Sequence, residues 1–358
     1  MNSYDFKNVK SISVNVKKQK RMPVWAIVII DLLLACCVLG IFTYYHMGLA
    51  EEEDDIPMVI VTPAPTPTST PTTTQPVETA DITPEPTIDP ADMTWAQRFD
   101  AYFSENIVAT DTMYRSPNIS ISIEKKTKGE GRKMITYFVA DIYITKIECF
   151  QTYLAKGKYG NGRQDVLEMD IASDAVIAMT GDYYNSTNSK LRNVVIRNGY
   201  EYEIKNTSLE VCVLYNDGVM ETFGRKEFND KQVREAARER GIWQAWTFGP
   251  SLLDDEGKAR TSFKYATAYQ SGEHPRSAVG YYEPGHYCFV VVDGRAKGYS
   301  KGVNLVELAE IFEELGCKVG YNLDGGGSAV MTYDDKIVNR ATDDDRNIGD
   351  CLLFKEVD

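Results

Sequence analysis

The sequence predicts an α+β chain: a single globular domain with a mixed, mainly antiparallel sheet and a few helices, preceded by one transmembrane helix and a disordered stalk. Three observations predict it. An apolar run covers residues 24–45, a proline- and threonine-rich stretch follows it, and from Met93 onward short alternating apolar runs outnumber helical patterns. The expected organisation is a basic tail at 1–23, an anchor at 24–45, a linker at 46–92 and the globular part at 93–358.

The anchor comes first. Residues 24–45 carry one charge, Asp31, and are long enough to cross a hydrocarbon core of ~30 Å. Lys7, Lys10, Lys17, Lys18, Lys20 and Arg21 precede the run, and an acidic stretch at 51–55 follows it. Basic residues favour the cytoplasmic side, so the expectation is a single-pass protein with its C-terminal domain outside the cell. A cleaved signal peptide is the rival reading, since Gly48-Leu49-Ala50 resembles a small-x-small cleavage site, but the apolar run exceeds a typical signal-peptide core. Residues 56–92 then hold nine of the chain's 14 prolines and no lysine or arginine. Such a composition cannot bury a core and should be an extended spacer, reaching on the order of 100 Å at ~3 Å per residue.

In the globular part, helices are expected at 95–107, 229–240 and 305–315. The last shows Leu305, Leu308, Phe312 and Leu315 on one face, with Asn304 and Glu307 as a capping box and Gly316 as the stop. Asn229 is the expected N-cap of the second. Strands are expected at 135–145, 174–180, 209–215, 287–292, 319–323 and 329–333, and Asn216-Asp217-Gly218 reads as a hairpin turn. The net charge of −13 excludes general nucleic-acid binding, though not a local pocket for one phosphate. The seven cysteines form no CxxC pair, so a zinc ribbon or redox motif is not expected, and most should be buried as small apolar residues. Three histidines, His46, His274 and His286, are too scattered for a three-histidine metal site, and no serine sits in a GxSxG elbow.

Candidate chemistry lies where apolar strands stop. Three of them end in an acid next to glycine or a turn residue: Thr180-Gly181-Asp182, Val292-Asp293-Gly294 and Leu323-Asp324-Gly325. One Asp-Gly is ordinarily a turn. Asp324 stands apart because three glycines and Ser328 follow it, which a turn does not require and which costs chain entropy. Successive glycine amides, here Gly325, Gly326 and Gly327, can form an anion-binding nest. Asp141 interrupts the strand expected at 135–145 on the face opposite Phe138, Ala140, Ile142 and Ile144, either as an exposed acid or as a carboxylate set beneath a site. Arg276 and Arg346 are cationic counterparts suited to bidentate grip on phosphate or carboxylate, or plain surface ion-pair residues.

The ordered set Gly181-Asp-Tyr-Tyr-Asn185, Phe248-Gly-Pro-Ser-Leu-Leu253, Arg276-Ser-Ala-Val-Gly280, Val292-Asp-Gly-Arg295, Gly298-Tyr-Ser-Lys-Gly302 and Asn322-Leu-Asp-Gly-Gly-Gly-Ser328, followed by Asn339 and Arg346, resembles the phosphodiester glycosidase family, the group of the uncovering enzyme. The resemblance spans about residues 140–354 and implies a bacterial, membrane-anchored member linked to exopolysaccharide or cell-wall glycopolymers. It implies hydrolysis of a sugar C1–O bond where phosphate links the sugar to another alcohol. Phosphate leaves readily, so the site must supply positive charge and amide donors for it and a carboxylate beside the oxocarbenium-like centre. On this basis Asp324 and Asp182 are the expected catalytic acids, with Asp141 and Asp293 as further candidates. Arg276, Gly325, Gly326, Gly327, Ser328, Asn185 and Arg346 are expected on the substrate. No cofactor is implied. Two other readings stay open: a non-catalytic glycopolymer-binding module, and a phosphodiesterase holding Ca²⁺ or Mg²⁺ on the four aspartates.

Overall fold

A computed structural model describes residues 92–183, 193–263, 271–342 and 347–357. The anchor expected at 24–45 and nearly all of the expected stalk lie outside these residues. Among the described residues no helix is long and apolar enough to cross a membrane.

The described part is an α+β arrangement in which every strand pair is antiparallel. It opens with helix α1 (Trp95–Arg98) and strands β1 (Val108–Thr110), β2 (Met113–Arg115), β3 (Ile119–Lys128), β4 (Ile135–Ile144) and β5 (Phe150–Leu154). Helix α2 (Val166–Ser173) leads to β6 (Ile177–Thr180), β7 (Val194–Arg197), β8 (Tyr200–Ile204), β9 (Val211–Tyr215) and β10 (Met220–Phe223). Helix α3 (Lys231–Arg240) precedes β11 (Ile242–Trp246), β12 (Arg276–Glu283) and β13 (His286–Val292). Helix α4 (Leu305–Glu314) is followed by β14 (Val319–Asn322), β15 (Met331–Tyr333), β16 (Lys336–Ile337) and β17 (Asp350–Phe354). They form a seven-stranded sheet, β1-β2-β3-β4-β13-β12-β14, and two five-stranded sheets, β10-β9-β11-β7-β8 and β16-β15-β6-β17-β5.

The seven-stranded sheet is the central layer. On one face Ile119, Ile121, Phe138, Ala140, Ile142, Phe289 and Val291 pack against residues of both smaller sheets, among them Trp246, Met179, Met331 and Phe354. On the other face Val139, Ala278, Cys288 and Val290 meet Leu305, Leu308 and Phe312 of α4. A strand covered on both faces has no solvated side, which is why β13 is apolar at nearly every position instead of alternating.

Local signals account for most elements and for the misses. α4 begins at the expected capping box, with Asn304 and Glu307 each bonded to the other's backbone. Asn216-Asp217-Gly218 turns β9 into β10, with Gly218 at φ +81°. The helix expected at 95–107 stops at Arg98, because Phe99 leaves the helical path to pack on Tyr143 and His286. The N-cap of α3 is Asp230, not Asn229, whose amide instead binds the backbone of Thr207. The strand expected at 174–180 begins only at Ile177, and Asp174 terminates α2 in the left-handed conformation. α2 itself was hidden because the buried Asp170 breaks its apolar stripe, although Asp165 is a regular N-cap. Cys149, Cys212, Cys288, Cys317 and Cys351 are all buried free thiols.

Candidate active site

Strand register brings three of the four candidate aspartates to one rim. Arg276 opens β12 opposite Val292, and Asp293 follows directly on β13. On the other side of β12, Asn322 of β14 pairs with Ala278, and Leu323 donates its N–H to Ser277. Asp324 is thus delivered beside Arg276. Asp182 arrives from a different sheet: the Asp324 N–H donates to the Gly181 carbonyl at 3.1 Å, while Thr180 Oγ1 donates to the Ser328 carbonyl. The end of β6 and the glycine-rich segment are therefore laced together.

Close backbone approach explains the glycines. A Cβ on Gly325 would lie 2.8 Å from the Pro275 carbonyl oxygen, and one on Gly294 would lie 2.7 Å from the Pro275 nitrogen and 2.9 Å from Gly302 Cα. The segments after Asp293 and after Asp324 both lean on His274-Pro275. The amides expected to form a nest are largely engaged inside the protein. Gly325 donates to its neighbour's Asp324 Oδ1 at 2.9 Å, Gly326 to the Pro275 carbonyl at 2.8 Å, and Ser328 to the Gly325 carbonyl at 3.4 Å. The amides of Gly325, Gly326 and Ser328 thus each have an acceptor within the protein. The Arg276 side chain is buried, its Nε donating to the Val303 carbonyl at 3.3 Å and an Nη to Gly272 at 3.2 Å. Burial, then Arg276, then Arg295 lower the pKa of His274, so a positive field exists at this rim.

Asp182 is fully buried and accepts three donors: the N–H of Tyr183 at 2.9 Å, the N–H of Thr247 at 2.8 Å and Arg197 at 3.3 Å. Arg197 also holds Asp350 at 2.7 Å, and Asp350 accepts the N–H of Asp182 at 2.9 Å. Two buried carboxylates thus share one guanidinium. Burial pushes the Asp182 carboxyl up to about 7 against the lowering effect of Arg197, with Asp350 raising it further. Asp293 is buried too, accepting Asn339 on Oδ1 at 2.8 Å, and Tyr299 at 2.8 Å and the Arg340 N–H at 3.1 Å on Oδ2. Burial raises its pKa while these bonds oppose the rise.

Asp141 stands elsewhere. It lies four residues along β4 from Tyr137, the partner of Val292, or roughly 13 Å from the rim at strand rise. There it is half-exposed and contacts His286 at 2.7 Å, whose ring is stacked between Tyr143 and Tyr282. Among the described residues no group of three or more His, Cys, Asp or Glu is placed to hold a metal ion. Asn185 and Arg346 fall outside the described residues.

Arg197, Asp350 and Thr247 are the site neighbours that sequence reasoning did not single out. A lone arginine closing the run Val194-Val195-Ile196 was the available signal for the first. Next to the aspartates, Tyr183 and Phe248 stack at 5.2 Å, both half-buried, and offer an apolar platform. Asn322 Oδ1 and Ser277 Oγ are buried without a hydrogen-bond partner among the described residues, a costly state that a water or a substrate hydroxyl would relieve.

A family model described as phosphodiester glycosidase matches residues 173–355, which include every element of this rim. The chain belongs to the phosphodiester glycosidase family. A prophage-derived protein of Bacillus subtilis strain 168, YomE, is 29% identical over 242 residues, covering 66% of this chain and 36% of that protein. The chain therefore spans little more than a third of the length of that relative. The catalytic domain of zebrafish N-acetylglucosamine-1-phosphodiester alpha-N-acetylglucosaminidase, auto-inhibited by its pro-peptide, shares the fold with a TM-score of 0.54 and 18% identity, over 70% of this chain and 88% of that one. A hypothetical protein from Synechocystis matches with a TM-score of 0.49 and 12% identity, over 70% of this chain and 64% of its own. The match thus takes in the C-terminal strand β17, where Asp350 braces Arg197.

Proposed function

We propose that this phosphodiester glycosidase domain hydrolyses the C1–O bond of a glycosyl phosphodiester, outside the membrane that its N-terminal segment anchors. The observation that carries the reading is the meeting of Asp182 and Asp324, from two sheets, across one backbone hydrogen bond and beside the buried Arg276. In the reaction the C1–O bond breaks, the phosphate monoester leaves with the electron pair, and water adds its oxygen to C1 while giving up a proton. Arg276 stabilises charge gathering on the departing phosphate. Asp324 stands at the anomeric carbon, where a carboxylate either adds to C1 or takes the proton from water. Asp182, held behind it by Arg197 and Thr247, titrates near neutrality and sets the local charge. The Tyr183–Phe248 platform suits a sugar ring, and Asn322 and Ser277 suit its hydroxyls. Glycopolymer turnover at the cell envelope is the setting that the anchor and stalk expected from the sequence favour.

The test is release of free sugar from a sugar-1-phosphodiester, in chelator. Asp324→Asn should lower kcat by about 100-fold or more while the fold is retained. Undiminished sugar release in that variant would remove Asp324 from the mechanism. Product that is sugar phosphate, with activity abolished by chelator, would replace the glycosidase reading with a metal-dependent phosphodiesterase.

A further inference from the structure

Beside the rim lies a surface whose charge runs against that of the chain as a whole. A cavity of about 480 Å³ is lined by Gly294, Arg295, Ala296, Lys297, Arg340, Ala341 and Thr342. A second, of about 380 Å³, shares Arg295, Ala296 and Lys297 with it and adds Arg132 and Lys301 among its walls. The two form one groove over the turn 295–297. Among the described residues five cations line it and no carboxylate does, in a protein of net charge −13.

Lys301 is neutralised by Glu273 and Glu307. Arg132, Lys297 and Arg340 take no carboxylate among the described residues, and Arg340 lies over the Tyr299 ring at 5.2 Å. Ordinary solvated surface charges would account for any one of these side chains. They account less well for three gathered on concave walls that carry no described carboxylate partner for them, where mutual repulsion is a standing cost.

The groove is also built. The backbone at Arg295 holds φ +56°, and the turn is closed by reciprocal bonds between Ala296 and Ser300 at 3.0 and 2.9 Å. Ser300 Oγ accepts the Thr136 N–H, and the Lys301 N–H donates to Met134. Asp293 ties the two walls together, accepting Tyr299 on one side and the Arg340 N–H on the other. The groove starts at the rim itself: Gly294 abuts Pro275, whose carbonyl accepts the Gly326 N–H.

We propose that this groove is an anion-binding extension of the site that holds phosphate groups of the substrate beyond the one at the scissile bond. It would take a chain in which phosphates recur, such as a polymer of phosphodiester-linked units, in place of a lone small phosphodiester. The proposal rests on the glycosyl-phosphodiester reading above for its substrate, but its binding test does not. A nucleic acid is the other polymer with recurring phosphates. Among the described residues the ring nearest the groove is Tyr299, over which Arg340 and Lys125 already lie, which favours the non-nucleic polymer over one whose bases need a free ring to stack on.

The experiment titrates the full chain with sodium polyphosphate of roughly ten phosphates and, separately, with orthophosphate, at several salt concentrations. Polyphosphate should bind at least about tenfold more tightly than orthophosphate, with an affinity that falls steeply as salt rises, by about one salt-exponent unit or slightly less per phosphate engaged. The double variant Arg132→Gln/Lys297→Gln changes exposed side chains only, so an unaltered Tm checks its fold. It should lose about tenfold in polyphosphate affinity and show a shallower salt slope. Equal binding of polyphosphate by variant and parent, or no preference for polyphosphate over orthophosphate, overturns the proposal. Equally tight binding of a single-stranded oligonucleotide of matched charge overturns the assignment to a non-nucleic polymer. A chain that binds polyphosphate through Arg132 and Lys297 yet releases no sugar keeps the groove and removes the glycosidase. Sugar release without polyphosphate preference does the reverse.

Discussion

Removing Arg197 should expose the electrostatics on which the rim depends. The guanidinium is 1% exposed and the Asp182 and Asp350 side chains are 0% exposed, so no water replaces the cation when it is lost. Arg197→Met keeps most of the volume but removes the only cation from two buried carboxylates, which keep backbone N–H donors alone among the described residues, and one donor from each of the Ile196 and Ala245 carbonyls. Breaking a buried ion pair from one side costs about 3–5 kcal/mol. The loss must depend on pH, and its sign follows from Asp182. Burial raises that carboxyl to about 7, above its unfolded value, so its protonated form favours the folded state. This contribution is fully present below the unfolded value near 4 and is lost as pH rises through about 7. Without Arg197, which lowers the value, the folded carboxyl rises further and the loss of stability on the alkaline side steepens. Urea unfolding followed by tryptophan fluorescence suits the measurement, since Trp246 lies 5.9 Å from the Arg197 guanidinium. The variant should lose about 3–5 kcal/mol at pH 8 and roughly 1–2 kcal/mol less than that at pH 5. A loss below about 1 kcal/mol, or one identical at both pH values, would refute the shared-guanidinium account.

Three further outcomes are expected. Gly325→Ala should destabilise the protein by about 1–3 kcal/mol in chemical unfolding, because its Cβ must push back the Pro275 carbonyl; an unchanged midpoint would show that the two segments can part. Asn304→Ala should cost about 1 kcal/mol through the lost cap of α4, measured as a shift in urea midpoint at constant m-value. Tyr299→Phe removes a donor that opposes the burial of Asp293, so that carboxyl should rise further. Stability should then fall over a higher pH range than in the parent as Asp293 ionises, and superimposable stability–pH profiles would contradict this.

The fold class and most of the rim were legible because they rest on local rules. Asn304 and Glu307 announce a helix start in any context, and Asp324 with its glycines announces an exceptional backbone. What escaped depended on partners far away in sequence. Asp141 reads in the strand as either an exposed acid or a carboxylate beneath a site, and the pairing of β4 with β13 shows it half-exposed and facing His286. Arg197 reads as the polar end of an apolar strand until Asp350, 153 residues later, closes on it. The glycine amides are a third case. Their residue types fit an anion nest, and only the three-dimensional structure shows that Asp324 and Pro275 accept the amides of Gly325 and Gly326.

Pro275 itself carries no polar side chain and would attract no attention in a search for catalytic groups. Its backbone is nonetheless the joint against which Gly294 and Gly325 bear, and His274 before it meets Gly302 in the same way. Three segments, at 274–275, 294–302 and 325–326, therefore share one point of tolerance of less than a methyl group. An insertion or a bulkier residue in one of them would have to be matched in the others. Divergence in what this domain acts on should accordingly be written in the walls around that joint, and hardly ever in the joint.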